Sequence, residues 1–172
     1  MLESSKADHA TGYRLGGLMF FLSAGAIITA LGFQHLGGYD PCHLCLMQRY
    51  AYYIAMPLLL IAMALTQEKP KLGGFIFLLV AMAFLLNAGL GVYHSGVEWK
   101  FWPGPDSCTG GAAALPKTAA EMLEGLENRV VRCDEAAWRF AGLSFAGWNA
   151  LISFVLFSFG LRAAHAAAKT SQ

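Results

Sequence analysis

The sequence predicts an all-α membrane protein, a four-transmembrane-helix bundle with one long outer loop that carries a short amphipathic helix. The chain is 56% apolar and only 13% charged, whereas a typical soluble domain is about 25% charged. One small globule keeps much of its surface wet and cannot hide this excess of apolar residues. Four apolar runs each approach the ~20 residues that a bilayer core requires. We therefore predict a single membrane domain over residues 1–172.

The four predicted spans follow these apolar runs. A soluble bundle of very apolar helices is the alternative, but soluble helices alternate polar and apolar faces. Residues 75–86, by contrast, are apolar throughout. The first run is not followed by a small-residue cleavage site, so we expect a retained helix and not a removed signal peptide. The predicted spans cover residues 15–36, 46–65, 72–93 and 145–161.

Three features within the spans are interpreted as structural. Asn87 in the third span is expected to hydrogen-bond another helix, because a polar side chain in lipid needs a partner. Pro57 is expected to kink the second span, since proline frees a backbone carbonyl. Gly25 and Thr29 form a small-residue pair in the first span and are expected to allow a close helix approach.

The distribution of Lys and Arg orients the predicted bundle, because short cytoplasmic flanks carry an excess of these residues. Both occur in the N-terminal flank and after the fourth run, and Lys also lies between the second and third runs, whereas residues 37–41 contain neither. Both termini and residues 66–71 are therefore expected to be cytoplasmic. The outer loops, residues 37–45 and 94–144, then place all four cysteines on the opposite face: Cys42, Cys45, Cys108 and Cys133.

The long outer loop is expected to contain a short helix. Thr118 and Glu121 have the spacing of a capping box, which opens a helix. The apolar side chains that follow share one face of that helix and predict an amphipathic segment lying on the membrane. Packing of the same face on the helix bundle is the alternative. The residues of this face are Met122, Leu123, Leu126 and Val130.

The C-x-x-C pair of Cys42 and Cys45 is the feature most indicative of chemistry. Such a pair stores two electrons as a dithiol or a disulfide. A ring that spans two residues constrains little of the unfolded chain, so its stabilising effect is small. A helix N-terminus favours a thiolate, and the guanidinium of Arg49, one helical turn beyond Cys45, does the same. The pattern predicts a redox centre at a membrane surface.

The second cysteine pair leaves two interpretations open. Cys108 and Cys133 could form a structural disulfide that staples the outer loop, or could exchange electrons with the C-x-x-C pair. A zinc site commonly uses two close pairs of ligands, and only one is present, so no metal is expected. Leu46 stands where a covalent haem signature needs histidine. No basic stripe or cluster indicates nucleic-acid binding.

A redox centre needs an electron acceptor as well as a donor. No G-x-G-x-x-G motif follows a predicted strand, and no soluble domain is present to hold a flavin or a nucleotide. An acceptor that reaches Cys45 from within the bilayer is the natural candidate. We therefore predict a lipid-soluble quinone.

Several ordered stretches together are similar to one known family. They are Phe33-Gln34-His35, Pro41-Cys42 through Cys45 with Arg49, Pro103-Gly104-Pro105 before Cys108, and Cys133 followed by Trp138 and Gly142-Leu143. With the four spans, these stretches resemble the disulfide bond formation protein B (DsbB) family of bacterial inner membranes. The resemblance implies a multi-pass inner-membrane enzyme with cytoplasmic termini and periplasmic cysteines.

The resemblance also implies a role for each cysteine. Cys108 would form the mixed disulfide with a DsbA-like periplasmic thiol oxidase. Cys133 would then exchange with Cys42, which forms a disulfide between the two outer loops. Cys45 would remain as the thiolate that meets ubiquinone or menaquinone from the membrane quinone pool.

Two further residues are implied to bind the quinone. Arg49 would stabilise the Cys45 thiolate and the quinone oxygen. His94, which follows the third predicted span, would line the quinone pocket. The implied function is that of a quinone-dependent protein-disulfide oxidoreductase.

Two other functions remain open at the level of the sequence. One is a non-enzymatic four-helix membrane protein with a disulfide-stapled outer loop, which predicts inert cysteines. The other is a reductase that moves electrons in the opposite direction. Reduction potentials set that direction, and the sequence does not determine them.

Overall fold

The computed structural model describes residues 2–105 and 131–169, and the side chains of residues 10–105 and 131–169 within them. Four helices, each long and apolar enough to cross a membrane, confirm the predicted four-helix membrane fold. A minimal antiparallel hairpin precedes the last helix and pairs Arg139 with Ser144. The elements are α1 (Leu2–His35), α2 (His43–Glu68), α3 (Pro70–Glu98), β1 (Arg139–Phe140), β2 (Leu143–Ser144) and α4 (Phe145–Lys169).

The helices are longer than the predicted spans. The third helix was expected to end at Tyr93, but α3 continues to Glu98, so His94 lies on a helix and not in the outer loop. The C-x-x-C pair lies at a helix N-terminus, as predicted, with Cys42 as the N-cap of α2; Cys45, which was counted with the first outer loop, lies within the helix. Hydropathy identifies the part of a helix that crosses hydrocarbon, whereas the helical backbone continues through the headgroup region.

The end of α3 has a specific backbone cause. Lys100 adopts a left-handed conformation with φ of 60°. The N–H of Phe101 then donates to the carbonyl of Gly96 at 2.9 Å, which is the bond that closes a Schellman motif. The predicted capping box at Thr118 and the amphipathic helix after it lie outside the described residues.

The outer surface of the bundle supports a membrane environment over the soluble alternative. Met19, Phe77 and Leu156 are completely buried in the core. Phe21 and Leu86, in contrast, are 74% and 73% exposed, and many other large apolar side chains are exposed around the helices. A soluble monomer rarely exposes contiguous apolar surface of this kind.

Polar side chains connect the helices within the apolar core. The predicted partner of Asn87 on another helix is confirmed, because its Nδ2 donates to Ser153 Oγ on α4 at 2.9 Å. Tyr52 on α2 donates from its hydroxyl to Asn149 Oδ1 on α4 at 2.6 Å. Pro57 lies inside α2, which stays helical on both sides of it; the expected kink stays a prediction.

The close approach predicted at Gly25 is wrong. A Cβ added at Gly25 would meet nothing within 4 Å, whereas one at Gly160 would lie 2.8 Å from Ala81 Cβ. Small residues permit close packing only where another helix lies opposite them. Gly25 and Thr29 instead line a cavity, so their small side chains leave space for a ligand.

Candidate active site

The C-x-x-C pair lies at the start of α2, at the end of the bundle where α1 and α3 end and α4 begins. Cys42 is the N-cap residue, and its Sγ accepts a hydrogen bond from the backbone N–H of Cys45 at 3.3 Å. A sulfur in this position lies at the positive end of the helix dipole. Both residues are free thiols, and their sulfur atoms are 3.1 Å apart.

Cys42 carries the negative charge of the reduced pair. The hydrogen bond with the Cys45 thiol is the main cause that lowers the Cys42 pKa to about 4, and His94 adds to it, against the opposing effect of burial. Cys42 is therefore a thiolate at neutral pH, which is the nucleophilic form. The thiolate implied at Cys45 belongs to a state in which Cys42 is disulfide-bonded, and it stays a prediction.

Cys133 lies beside the C-x-x-C pair. It is almost completely buried and disulfide-bonded, and its Sγ lies within 4.8 Å of Cys42 Sγ. The side chains of Cys42, Leu44 and Cys133 form a small buried cluster. A thiolate next to a disulfide sulfur is the arrangement that thiol-disulfide exchange requires. Cys108 lies outside the described residues.

Cys42 and Cys133, together with His94, resemble a metal site only in their spacing. Cys42, Cys133 and one nitrogen of His94 lie within 4.8 Å of one another. Zinc requires cysteine as an anionic thiolate, and Cys133 is held in a disulfide. The chemistry of these donors therefore fits exchange between sulfur atoms better than metal binding.

His94 is brought directly to Cys42 by the extension of α3. Its side chain is buried, and Nε2 lies 3.6 Å from Cys42 Sγ. Nδ1 lies 2.8 Å from Gln48 Nε2, and Glu98 Oε1 is 3.8 Å from Nε2. His94 thus contacts the reactive thiolate, a contact that the sequence did not predict.

Arg49 faces α1 one turn below Cys45. Its Nη1 donates to Gln34 Oε1 at 2.6 Å, and its Nη2 donates to the carbonyl of Ala30 at 3.5 Å. Neither partner is charged, so the guanidinium keeps its full positive charge in these contacts. Arg49 and Cys45 both line the same cavity.

That cavity has a volume of about 590 Å³. It extends along α1 from Phe33 to Phe21, a distance of about 18 Å at ~1.5 Å per residue. Most of its walls are apolar. Several aromatic rings among its lining residues contact one another, with Phe33 and Phe145 centroids 4.9 Å apart. The cavity is lined by Cys42, Cys45, Arg49, His94, Trp138 and Asn149, among others.

The sequence did not single out Gln48 or Asn149 as site residues. Asn149 Nδ2 donates to Gln48 Oε1 at 2.5 Å, which links α4 to α2 beside His94. The available signal was that each is an amide within a predicted apolar span, and polar residues in such segments tend to be functional.

The fold is a four-helix membrane bundle, and its site brings a thiolate, a thiol and a disulfide together beside an apolar cavity. These features define a membrane thiol-disulfide exchange protein. Residues 13–163 match the family described as disulfide bond formation protein DsbB. The chain therefore belongs to the DsbB family, as its motifs indicated. It is accordingly a multi-pass inner-membrane protein of disulfide bond formation.

Individual relatives agree with this assignment. The chain is 28% identical over 151 residues to a protein of Marinobacter nauticus named disulfide bond formation protein B, with 84% of this chain and 87% of the relative covered. A protein of the same name from Aromatoleum aromaticum is 28% identical over 138 residues, with 76% and 79% covered. One from Xylella fastidiosa is 26% identical over 132 residues, with 76% of each covered. No solved structure matches the chain significantly.

Proposed function

We propose that this protein reoxidises a DsbA-like periplasmic thiol oxidase and passes the two electrons to ubiquinone or menaquinone. The observation that carries the proposal is the position of Cys42 Sγ, which is 3.1 Å from Cys45 Sγ and within 4.8 Å of Cys133 Sγ. One sulfur is thus able to form a disulfide with either neighbour. Both exchanges would take place beside a cavity that is lined by residues of all four membrane helices.

The proposed exchange between sulfur atoms consists of four thiol-disulfide steps. A thiolate of the partner attacks Cys108 in a Cys108–Cys133 disulfide, which gives a mixed disulfide and releases Cys133 as a thiolate. The second partner thiol resolves the mixed disulfide, so the partner leaves oxidised and Cys108 is released. Cys133 attacks Cys42 in a Cys42–Cys45 disulfide and releases Cys45, and Cys108 then attacks Cys133 to leave Cys42 and Cys45 reduced. The thiols of Cys42 and Cys45, together with an oxidised Cys133, match the end of this sequence.

The cavity fits a quinone. Its volume of about 590 Å³ lies within the usual range for small-molecule sites, which are mostly apolar with a few convergent polar groups. When bound, a quinone accepts two electrons and two protons. Arg49 would hold a ring oxygen and the sulfur anion through its guanidinium. The aromatic rings of Phe33 and Phe145 would confine the quinone head group, and the small residues of α1 would accommodate its tail.

The test is a quinone reductase assay on the purified chain. Reduced DsbA-like partner and a short-chain ubiquinone are added, and the loss of quinone absorbance is followed together with partner oxidation. We expect stoichiometric reduction of quinone and oxidation of partner thiols. Cys45→Ser should abolish quinone reduction, and a variant that retained the full rate would refute the scheme.

The proposed topology places the redox end of the bundle in the periplasm. The charge distribution supports this topology. Lys69 and Lys71 lie between α2 and α3, at the opposite end of the bundle from Cys42, and Lys6 and Lys169 lie near the two termini. A membrane-impermeant maleimide applied to intact spheroplasts should label a single cysteine introduced at Lys100. It should label one introduced at Glu68 only after the membrane is broken, and the reverse pattern would invert the topology.

The opposite direction of electron flow would use the same sulfur contacts. Measurement of the reduction potentials of the two cysteine pairs against the partner separates the two directions, because electrons flow toward the higher potential. We expect the Cys42–Cys45 pair to have the higher potential of the two, since stabilisation of the Cys42 thiolate favours the reduced form.

A further inference from the structure

A chain of hydrogen bonds runs through the interior of the helix bundle and ends at the sulfur of Cys42. The hydroxyl of Tyr52 donates to Asn149 Oδ1 at 2.6 Å, and Asn149 Nδ2 donates to Gln48 Oε1 at 2.5 Å. Gln48 Nε2 lies 2.8 Å from His94 Nδ1, and His94 Nε2 lies 3.6 Å from Cys42 Sγ. The chain therefore connects α4, α2 and α3 to the N-cap of α2.

The hydrogen-bond chain has a direction because a carboxamide has one donor end and one acceptor end. Asn149 uses its NH₂ group to donate to the carbonyl oxygen of Gln48. The NH₂ group of Gln48 is thereby left facing His94 Nδ1, and it can only donate. Nδ1 must accept this hydrogen bond and so carries no proton.

The opposite nitrogen of the imidazole then carries the proton. A neutral histidine has one protonated and one unprotonated ring nitrogen, and the bond made by one determines the other. With Nδ1 as the acceptor, Nε2–H points toward Cys42 Sγ and toward Glu98 Oε1. The Cys42 sulfur and the Glu98 carboxyl group therefore both face the donor side of the ring.

We propose that Gln48 and Asn149 are positioning residues that hold His94 with its proton on Nε2, so that the imidazole donates to the Cys42 thiolate. The inference rests on the proposed function only in treating Cys42 as the exchanging thiol. In the other tautomer, the Nε2 lone pair would face the sulfur. Cys42 would then retain its proton to bond with that lone pair and would be a poorer nucleophile and a poorer leaving group.

Other groups near Cys42 do not replace this contact. The thiol and the backbone N–H of Cys45 also contact Cys42 Sγ within α2, and both contacts are present in either tautomer of His94. Glu98 on α3 would disfavour a second anion if it were charged. Cys133 is in a disulfide and does not titrate. Of the contacts that stabilise the Cys42 thiolate, only the hydrogen bond from His94 therefore depends on Gln48.

The direct test is the tautomer of His94 in the unmodified protein. Histidine labelled with ¹⁵N is incorporated into the reduced chain in detergent micelles, and a His94→Gln spectrum assigns the signals. We expect a pyrrole-like Nε2 and a pyridine-like Nδ1 while the ring is neutral. A neutral ring with its proton on Nδ1 would overturn the proposal without any variant of Gln48.

A second measurement follows the consequence for Cys42. Alkylation of Cys42 by iodoacetamide is followed against pH, with fragment-ion mass spectrometry to distinguish it from Cys45. Gln48→Met keeps the length of the side chain but removes its donor, so the midpoint should rise by about one unit. A rise of that size lowers the thiolate fraction about tenfold at a pH below both midpoints.

The matched control is Ser153→Ala. Ser153 belongs to the same buried polar cluster but lies outside the donor path from Asn149 to His94. Ser153→Ala should leave the midpoint of Cys42 alkylation against pH unchanged. Equal shifts in both variants would mean that Gln48 acts only through packing. Neither measurement uses quinone or partner, so the proposed function can fail in the turnover assay while this inference stands, or the reverse.

Discussion

The sulfur atoms of Cys42 and Cys45 lie 3.1 Å apart, yet the two residues occupy different environments. Cys42 is the N-cap of α2 and accepts hydrogen bonds, whereas Cys45 lies inside the first turn and supplies a backbone donor. The pair is therefore asymmetric before any partner or quinone binds. The environment of Cys42 favours its thiolate form, and Cys45 stabilises that thiolate.

The asymmetry predicts how the reactivity of Cys42 depends on pH. Hydrogen bonding from Cys45 and His94 lowers the Cys42 pKa to about 4. The alkylation rate of Cys42 should therefore stay constant as pH falls from neutral, and decline only near that value. Cys45→Ala removes the main donor and should move the decline to higher pH, and Cys45→Ser, which keeps a hydroxyl donor, should move it less. Equal profiles for the three proteins would contradict this account of the charge.

The same shift has a consequence for the stability of the reduced protein. The folded pKa of Cys42 lies below the ordinary thiol value, so the unfolded chain binds a proton that the folded chain has lost. The contribution is fully present above the unfolded pKa, falls as pH is lowered between the two values, and is absent below about 4. Cys42→Ser should lack this part of the pH dependence when thermal unfolding is compared between the two reduced proteins.

The four membrane helices could be predicted from the sequence because hydropathy acts over whole segments. The position of His94 could not, because the apolar run weakens near Tyr93 whereas the backbone of α3 stays helical to Glu98. That difference changes the site, since the extra turn brings the imidazole to within 3.6 Å of the Cys42 sulfur. Helix ends depend on capping and on contacts made by polar residues, which hydropathy does not report.

The cavity and its polar contacts were also beyond prediction from the sequence. Gly25 looked like a packing residue, because small residues serve close contacts and open spaces equally well. Only the arrangement of the neighbouring helices distinguishes the two. The partnership of Gln48 with Asn149 joins residues that are 101 positions apart, and local patterns carry no information about such pairs.

Packing at Gly160 predicts a loss of stability on substitution. A Cβ there would lie 2.8 Å from Ala81 Cβ and 3.2 Å from its Cα, so α3 and α4 would have to separate. Overpacking of this kind costs about 1–3 kcal/mol, and Gly160→Ala should lower the thermal unfolding midpoint in detergent. Gly89→Ala is the control, because a Cβ at Gly89 meets nothing within 4 Å and alanine favours the helix. A midpoint for Gly160→Ala at or above that of the control would show that the interface between α3 and α4 accommodates the added methyl group.

The cavity predicts that a larger side chain on α1 competes with quinone. Gly25→Leu would place four carbon atoms in a space where nothing lies within 4 Å of a Cβ. The KM for ubiquinone should rise about tenfold or more, since loss of a well-filled apolar contact of ~1.4 kcal/mol corresponds to that factor. The rate at which the partner forms a mixed disulfide should not change. Gly17→Leu has equally open surroundings but lies outside the cavity, and an equal effect there would exclude Gly25 from the quinone site.

The segment that carries Cys133 is tied to the end of α3. Asp134 accepts from Lys100 Nζ at 2.5 Å and from Arg132 Nη2 at 2.8 Å. The Arg132 and Lys100 hydrogen bonds lower the Asp134 pKa below its usual range, so the carboxylate stays charged well below neutral pH. We expect these contacts to hold Cys133 near Cys42, and Asp134→Asn to slow exchange between the two cysteines severalfold.

Quenched-flow trapping of the disulfide between Cys42 and Cys133 checks this expectation. Glu135→Gln is the control, because it removes only the more exposed ion pair with Arg132 at 3.4 Å. High salt should slow the unmodified protein toward the rate of Asp134→Asn, since partly exposed ion pairs are screened. An unchanged rate in Asp134→Asn would mean that the disulfide and the buried contacts of Cys133 are sufficient to hold Cys133 near Cys42, without the ion pairs of Asp134.

Arg49 predicts a separation of quinone binding from partner exchange. Within the described part of the chain, its guanidinium donates to the uncharged oxygens of Gln34 and Ala30, so its charge is available to a quinone oxygen and to a thiolate of Cys45. A hydrogen bond from a charged donor contributes about 1.5–3 kcal/mol, which corresponds to about 10- to 150-fold in affinity. Arg49→His should raise the KM for quinone within that range and leave the second-order rate of partner oxidation at Cys108 unchanged.

The control for Arg49 is an arginine at the same end of the bundle but outside the cavity. Arg139 lies on the exposed β1 strand, and Arg139→His should leave both kinetic parameters near their original values. Gln34→Leu tests the orientation of the guanidinium, since it removes the 2.6 Å acceptor and keeps the charge; it should raise the KM for quinone less than Arg49→His does. If partner exchange collapsed in Arg49→His while quinone affinity held, the guanidinium would serve the cysteines and not the quinone.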